Sequence, residues 1–334
     1  MLSIAARCPP GTIRTIRASS SSTGLDFRVL ISPSSLQGYQ RVYAVDTFPD
    51  LHPVGIFVGG TSGIGQGIAE AFARHTKGNA HIVIVGRSSA AATAILAGLP
   101  PAPAGADATR DFVPCDLTSI ASVKRMAASL GARFPRINLL VTTAGTINFE
   151  SKITSEGLEV STALWYYARW ALVEGLLPTI RAAQAAGEDA RVMAVFSAGQ
   201  GKEIDLSDLG LKKALKPVRD FAGFRTAGSQ ASTYIDLMFK DYAARNPGIT
   251  FIHAHPGLVD TPLLKNAPLT PDILATAKSI EVCGEHQLYA LLKAPAGASR
   301  TGQDGDDIGM DLPATEEVQR TLWEHTEEVI GGIE

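Results

Sequence analysis

A phenol beside an ammonium can pass protons, and the stretch HQLYALLKAP puts Tyr289 and Lys293 four residues apart, one helical turn. A free Tyr titrates near pKa ~10 and needs such a neighbour to act at neutral pH. Of the seven tyrosines in the chain no other has a lysine four residues on. Two amphipathic side chains sharing a helix would give the same spacing without any chemistry. A second group of interest is His255 in FIHAHPG, because imidazole titrates in the physiological range. A third is the run GGTSGIGQGIAEAF, with glycines at 59, 63 and 65. Gly59 permits a tight turn, Gly63 lets backbone N–H groups approach a diphosphate, and Gly65 lets a helix pack closely on a strand. The chemistry there is anion binding at a helix mouth.

Such groups work only if the chain brings them to one edge. Six apolar runs recur at 54–59, 81–86, 111–115, 137–142, 191–196 and 249–254. Their continuous apolar character is that of strands buried on both faces. Helical stripes such as Ile64, Ile68, Ala69 and Phe72 lie between them. Strand and helix alternating in this way predict an α/β fold, a Rossmann-type doubly wound parallel sheet in one domain with a helical C-terminal extension, and ligands at the carboxyl ends of its strands. The glycine run follows the first predicted strand and opens a helix, as nucleotide binding requires. Residues 100–106, rich in Pro and Ala, read as a loop.

At the end of the second predicted strand stand Gly86, Arg87 and Ser88. A carboxylate there would grip the ribose hydroxyls of NAD and repel the extra phosphate of NADP. A guanidinium fits that phosphate, so NADP is the expected cofactor, with Arg87 and Ser88 among its contacts.

The bulk numbers narrow the function classes. Thirty Lys and Arg against thirty-three Asp and Glu leave a formal charge of -3, with no basic run suited to phosphate tracking, so nucleic acid is not expected as a partner. The three cysteines are far apart with no Cys/His cluster, which suits a reducing compartment and gives no metal site. No apolar stretch approaches the roughly 20 residues of a spanning helix, so no membrane partner is expected. Residues 1–37 carry Arg7, Arg14, Arg17 and a serine run at 19–22, the pattern of a disordered leader or a transit peptide. The expectation is a cytoplasmic protein, or a mitochondrial one if residues 1–25 are a transit peptide, with a domain over 38–334, a small-molecule substrate and self-association left open.

The spacing Gly-xxx-Gly-x-Gly in GGTSGIG resembles the short-chain dehydrogenase/reductase superfamily, and further motifs agree: CDLTS at 115–119, TTAG at 142–145 and HPGLVDTPL at 255–263. The resemblance covers about residues 54–265. It implies cofactor contacts from Gly59, Thr61, Ser62, Gly63, Ile64 and Gly65, adenine contacts from Asp116 and Leu117, and further contacts from Ala144 and Gly145. Pro256 and Gly257 would form the turn beside the nicotinamide, and Thr261 would touch the cofactor carboxamide or phosphate. It also implies a Tyr and Lys four apart on the helix before the Pro-Gly turn, assisted by a Ser and an Asn. Ungapped counting puts Thr226 and Gln230 in the Tyr and Lys slots, small insertions move the first to Phe224 or Gly228, and the Asn slot falls on Trp165. Tyr289 and Lys293 lie after the turn, and are read as helix packing. Ser197 lies within one residue of the family Ser.

The expected catalytic groups are therefore Ser197 and His255. Tyr166, Tyr167 and Tyr234 are weaker candidates, because aromatic residues on half-buried helices are usually core. The segment 202–220 reads as a solvated helical flap, and Leu322, Trp323 and Val329 in the C-terminal helix as a cover for the pocket or for a partner subunit. The pattern resembles a divergent branch of the superfamily found in fungal secondary metabolism. It implies an NADP-dependent oxidoreductase with a non-standard proton donor. A non-redox isomerase or cyclase, and an NADP(H)-binding protein without turnover, remain as alternatives.

Overall fold

The computed structural model describes residues 52–147, 151–214 and 221–334, the side chains of residues 221 and 222 excepted. The N-terminal extension expected over residues 1–37 lies outside the described residues. Among them runs a seven-stranded parallel sheet in the order β3-β2-β1-β4-β5-β6-β7. Its strands are β1 (Val54–Val58), β2 (His81–Gly86), β3 (Arg110–Pro114), β4 (Leu139–Thr142), β5 (Arg191–Val195), β6 (Thr250–Ala254) and β7 (Gly297–Thr301). Six of these match the apolar runs of the sequence to within two residues at either end. The seventh, GASRT, has no apolar run to announce it and forms the edge beside β6.

Successive residues of a strand point to opposite faces, and both faces are covered. Ile56, Val83, Leu140, Val192 and Phe251 join one core with α3 (Ile120–Arg133), α4 (Ala168–Ala185) and α5 (Phe221–Arg245). Phe57, Ile84, Val141, Met193 and Ile252 join the other with α1 (Gly63–His75) and α6 (Ile280–Lys293). This double burial, worth about 1.5–3 kcal/mol for each large aliphatic side chain, is why the strands read as unbroken apolar runs. The remaining main helices are α2 (Ser89–Gly98) and α7 (Glu316–Gly331). The direction of strand order changes between β1 and β4, whose carboxyl ends flank the crevice where open α/β sheets bind ligands.

Two glycines let α1 and α6 approach closely. A Cβ at Gly284 would fall 2.3 Å from the Gly67 carbonyl oxygen, and one at Gly67 would fall 2.4 Å from that of Ile280. Glu285 on α6 fastens the pair by accepting from Arg74 at 2.7 Å and meeting His75 at 2.7 Å. Tyr289 and Lys293 belong to α6, on the face of the sheet opposite α5.

One sequence expectation is corrected. The described part of 202–220 is no helical flap: it is a chain of turns with one 3-10 turn at Leu206–Asp208, held because Asp208 accepts from the amides of Lys213 and Ala214. The C-terminal helix α7 packs its apolar face on its own chain. Trp323 packs on Trp170 at 4.2 Å and on Tyr242 at 5.2 Å, and Tyr166 and Tyr167 hydrogen-bond Thr326 and His325, each at 2.9 Å. Among the described residues no helix is long and apolar enough to cross a membrane, and no group of three or more His, Cys, Asp or Glu could hold a metal ion.

Candidate functional site

The crevice is lined at its base by the glycine run. Gly59 and Gly63 have φ of +84° and +58°, where a side chain is strained. A Cβ at Gly59 would lie 2.8 Å from the Ala144 nitrogen, and one at Gly65 would lie 2.7 Å from the Gly59 carbonyl oxygen. Any larger residue would push β1, β4 and α1 apart. Gly59 thus makes the turn and Gly65 the close packing, the two geometric roles read from the sequence.

The mouth of α1 differs from the starts of α2, α3, α6 and α7. Ser88, Ser119, Ser279 and Thr315 each cap a helix by accepting from a backbone amide of its first turn. Ser62, at the start of α1, makes no such bond, and no acidic residue stands in that first turn. The free N–H groups of a helix start and its dipole favour an anion. Around this mouth the groove is lined by Gly59, Thr61, Ser62, Gly63, Ile64, Arg87, Asp116, Leu117, Ala144, Gly145 and Thr261, all anticipated, and by Gly86, Thr118, Thr143, Leu164, Pro262 and Leu263 besides.

Four anticipated residues do not line it. Gly65 faces inward, and Ser88 is engaged in capping α2 through the Ala91 amide at 3.3 Å. Pro256 and Gly257 stand past the tip of β6, where Gly257 takes φ +70° against Gln303. Arg87 is exposed and has no ion-pair partner among the described residues. Asp116 is tied into a turn by the amide and hydroxyl of Thr118.

Beside Gly145 the position counted as the family Asn holds a ring, that of Trp165. The chain from Glu159 forms a short helix and then a π-helical turn, Ala163–Tyr167, before α4. This turn carries Trp165, which packs on Phe196 at 5.5 Å and edge-on to Phe224 at 5.2 Å. Gln230 is turned away to accept from the Asp205 amide, and Thr226 is exposed. The tyrosines are core. Tyr166 and Tyr234 stack edge-on at 5.2 Å, and burial pushes the phenols of Tyr166, Tyr167 and Tyr234 well above their ordinary value. None can act as an acid or base near neutrality.

His255 follows β6, its amide bonded to the Thr301 carbonyl at 2.8 Å. Burial lowers the imidazole below its ordinary value, and His253 and Lys278 push the same way against a backbone hydrogen bond at Phe196. The ring is therefore neutral at pH 7, and its buried Nδ1 has no partner. Ser197 lies two residues beyond the end of β5, next to Phe196, and its hydroxyl makes no hydrogen bond to a described residue.

The sequence reading missed a buried network behind Ser197. Its amide donates to His253 Nε2 at 3.3 Å, so Nδ1 carries the proton and donates to Asp236 Oδ1 at 2.7 Å. Asp236 Oδ2 in turn meets Arg300 at 3.5 Å, and Arg300 holds the Gly309 and Asp311 carbonyls. Asp236 is fully buried and His253 nearly so, and removing one partner of such a cluster costs about 3–5 kcal/mol. Also missed was Arg169, buried on α4 with Nη2 donating to the Ala144 and Val195 carbonyls at 3.0 Å each. The available signal was one charged residue inside each apolar run, in YYARWAL, TYIDLMF and TFIHA.

Comparison with known proteins follows from this geometry. The short chain dehydrogenase family model matches residues 54–195. The oxidoreductase andH of Emericella variicolor is 31% identical over 63% of this chain and 59% of its own length, so the chain spans about three fifths of that relative. A polyprenol dehydrogenase of Mus musculus is 28% identical, with 81% of each chain covered. Among solved structures, the NADPH-bound carbonyl reductase from chicken fatty liver superposes with a TM-score of 0.55 at 19% identity, over 78% of this chain and 99% of that one. At that identity the likeness speaks to the fold.

Proposed function

From the match of residues 54–195 to the short chain dehydrogenase model and the likeness to named oxidoreductases, we propose that this chain is a short-chain dehydrogenase/reductase, an NADP-dependent oxidoreductase acting on an apolar small-molecule alcohol or carbonyl, of the kind handled in secondary metabolism, with a proton-transfer group other than Tyr. The observation that carries this reading is the mouth of α1, without a side-chain cap, opening into a glycine-lined groove beside Arg87, which has no ion-pair partner among the described residues. These residues fit a dinucleotide. The amides at Gly63 and Ile64 would take the diphosphate, Arg87 the 2′-phosphate, Leu117 and Asp116 the adenine end, and Thr261 with the Pro256–Gly257 turn the nicotinamide end. When bound, the cofactor supplies or accepts a hydride.

The chain's own contribution is placement, dryness and one proton. Trp165, Phe196 and Phe224 exclude water from the reacting end. Neutral His255 accepts a proton from an alcohol more readily than it gives one to a carbonyl, so the geometry favours oxidation of an alcohol, with Ser197 donating a hydrogen bond to the same oxygen. The aromatic wall suits an apolar substrate, in keeping with the polyprenol dehydrogenase among the relatives. A second reading, a protein that binds NADP(H) without turnover, is supported by the positions counted for the proton-transfer pair: Thr226 is exposed and Gln230 is engaged by the Asp205 amide.

Incubation with NADP and a panel of apolar alcohols deuterated at the carbinol carbon separates the two. Deuterium on C4 of the reduced cofactor supports the oxidoreductase. Tight NADPH binding with no labelled cofactor from any substrate supports the binding protein.

A further inference from the structure

Among the described residues no acidic group neutralises the cation of Arg169. It is 2% exposed, and burial pushes its guanidinium down to about 9, with no charged neighbour contributing. Only Nη2 is hydrogen-bonded, to the carbonyls of Ala144, two residues past β4, and of Val195, the last residue of β5. Nε and Nη1 are buried without a partner. Tying two strand tips together requires one neutral donor. A full charge with two idle buried N–H groups is surplus to that task and costs several kcal/mol, as buried unpaired charges and donors do.

Its surroundings indicate what would complete it. Ala144 lines the groove, and the guanidinium carbon lies 5.5 Å from the centre of the half-buried Phe196 ring. Phe196 touches Trp165, which touches Phe224. A planar apolar body would rest among these rings, and a carboxylate or other oxyanion attached to it would meet the guanidinium fork in the two-point geometry that Arg and carboxylates share. We propose that Arg169 anchors an anionic oxygen group on an aromatic or conjugated ligand bound between Ala144 and Phe196. This narrows the substrate class at the reaction end from an apolar molecule to one whose apolar body carries a single oxyanion, and it rests on the oxidoreductase reading for its place in a reaction. The binding claim itself does not need turnover.

The test uses benzoate as the anionic aromatic probe and benzyl alcohol as its neutral counterpart, titrated calorimetrically into the full chain with and without NADPH. Wild type is expected to favour benzoate by about tenfold or more. Arg169→Met should lose that preference while melting at the same temperature or higher, since the unpaired charge is gone. Arg169→Lys should keep part of the preference. Equal affinity of wild type for the two probes, or a benzoate preference retained in the Met variant, overturns the proposal. So does a Met variant that fails to fold or melts well below wild type, which would make Arg169 a strap between strand tips. NADPH affinity is read in the same titrations. Its absence in wild type would defeat the oxidoreductase reading and leave the benzoate result standing by itself.

Discussion

The two ends of the crevice are built by opposite means. At the mouth of α1 the working parts are backbone, and what matters is where side chains are missing: at Gly59 and Gly65 an added Cβ would meet backbone at 2.8 and 2.7 Å. At the far end the working space is made by large side chains, Trp165, Phe196 and Phe224, set on three different elements. A backbone site tolerates almost no change in its own residues, because neither strand nor helix can move aside. A side-chain site can be refitted one residue at a time while the sheet stays as it is. The contrast explains how one chain can keep a glycine cradle and still carry Trp165, packed between Phe196 and Phe224, close to it.

The sharpest way to break this contrast is to fill the cradle. Gly65→Val should lower NADPH affinity beyond measurement and cost about 1–3 kcal/mol of stability from overpacking, read by calorimetry and urea unfolding. A variant that still binds NADPH normally would show that the cradle is not rigid. Next is Arg87→Ala, which should weaken NADPH by about 10- to 100-fold, the scale of one or two charge-assisted bonds, and leave NADH nearly unchanged. Equal losses for the two coenzymes would remove the 2′-phosphate from that guanidinium.

A smaller effect is expected at the reaction end, through pH. His255 has a folded value depressed by burial, so it is already neutral at pH 7 and gains a proton only below its ordinary value of about 6.5. The rate of alcohol oxidation should therefore hold from neutrality downward and fall on the acid side, below about pH 6.5. His255→Gln should flatten that limb. An unchanged acid limb in the variant would assign the proton elsewhere. Stability moves in the same direction: below about pH 6.5 the unfolded chain takes up protons that buried His255, His286 and His325 resist, so stability is lost as pH falls. The smallest effect is at Tyr289→Phe, expected to change activity less than about twofold, since α6 stands on the other face of the sheet from α5. A folded but inactive variant would overturn that placement.

The cradle was readable from the sequence because glycine spacing is a direct record of backbone geometry, and the six apolar runs because strands buried on both faces leave no polar residue to interrupt them. β7 was not, since GASRT at an edge carries neither signal. The Asp236, His253 and Arg300 network was hidden for another reason: its members lie on α5, β6 and β7, and only the register of β6 against β7 brings them to one place. Arg169 was passed over as one charge in a helical apolar run, with nothing in the spacing to show that it would be buried without a counterion. The C-terminal helix declared its apolar face but not its partner, which only the stacking of Trp323 on Trp170 and Tyr242 supplies.

The central claim is that the open amides at Gly63 and Ile64 hold a dinucleotide diphosphate, and calorimetric titration of the intact chain with NADPH, NADH and inorganic diphosphate tests it most directly. NADPH is expected to bind with the highest affinity, NADH more weakly, and diphosphate to compete with both. Well-folded protein giving no heat with either coenzyme would contradict it.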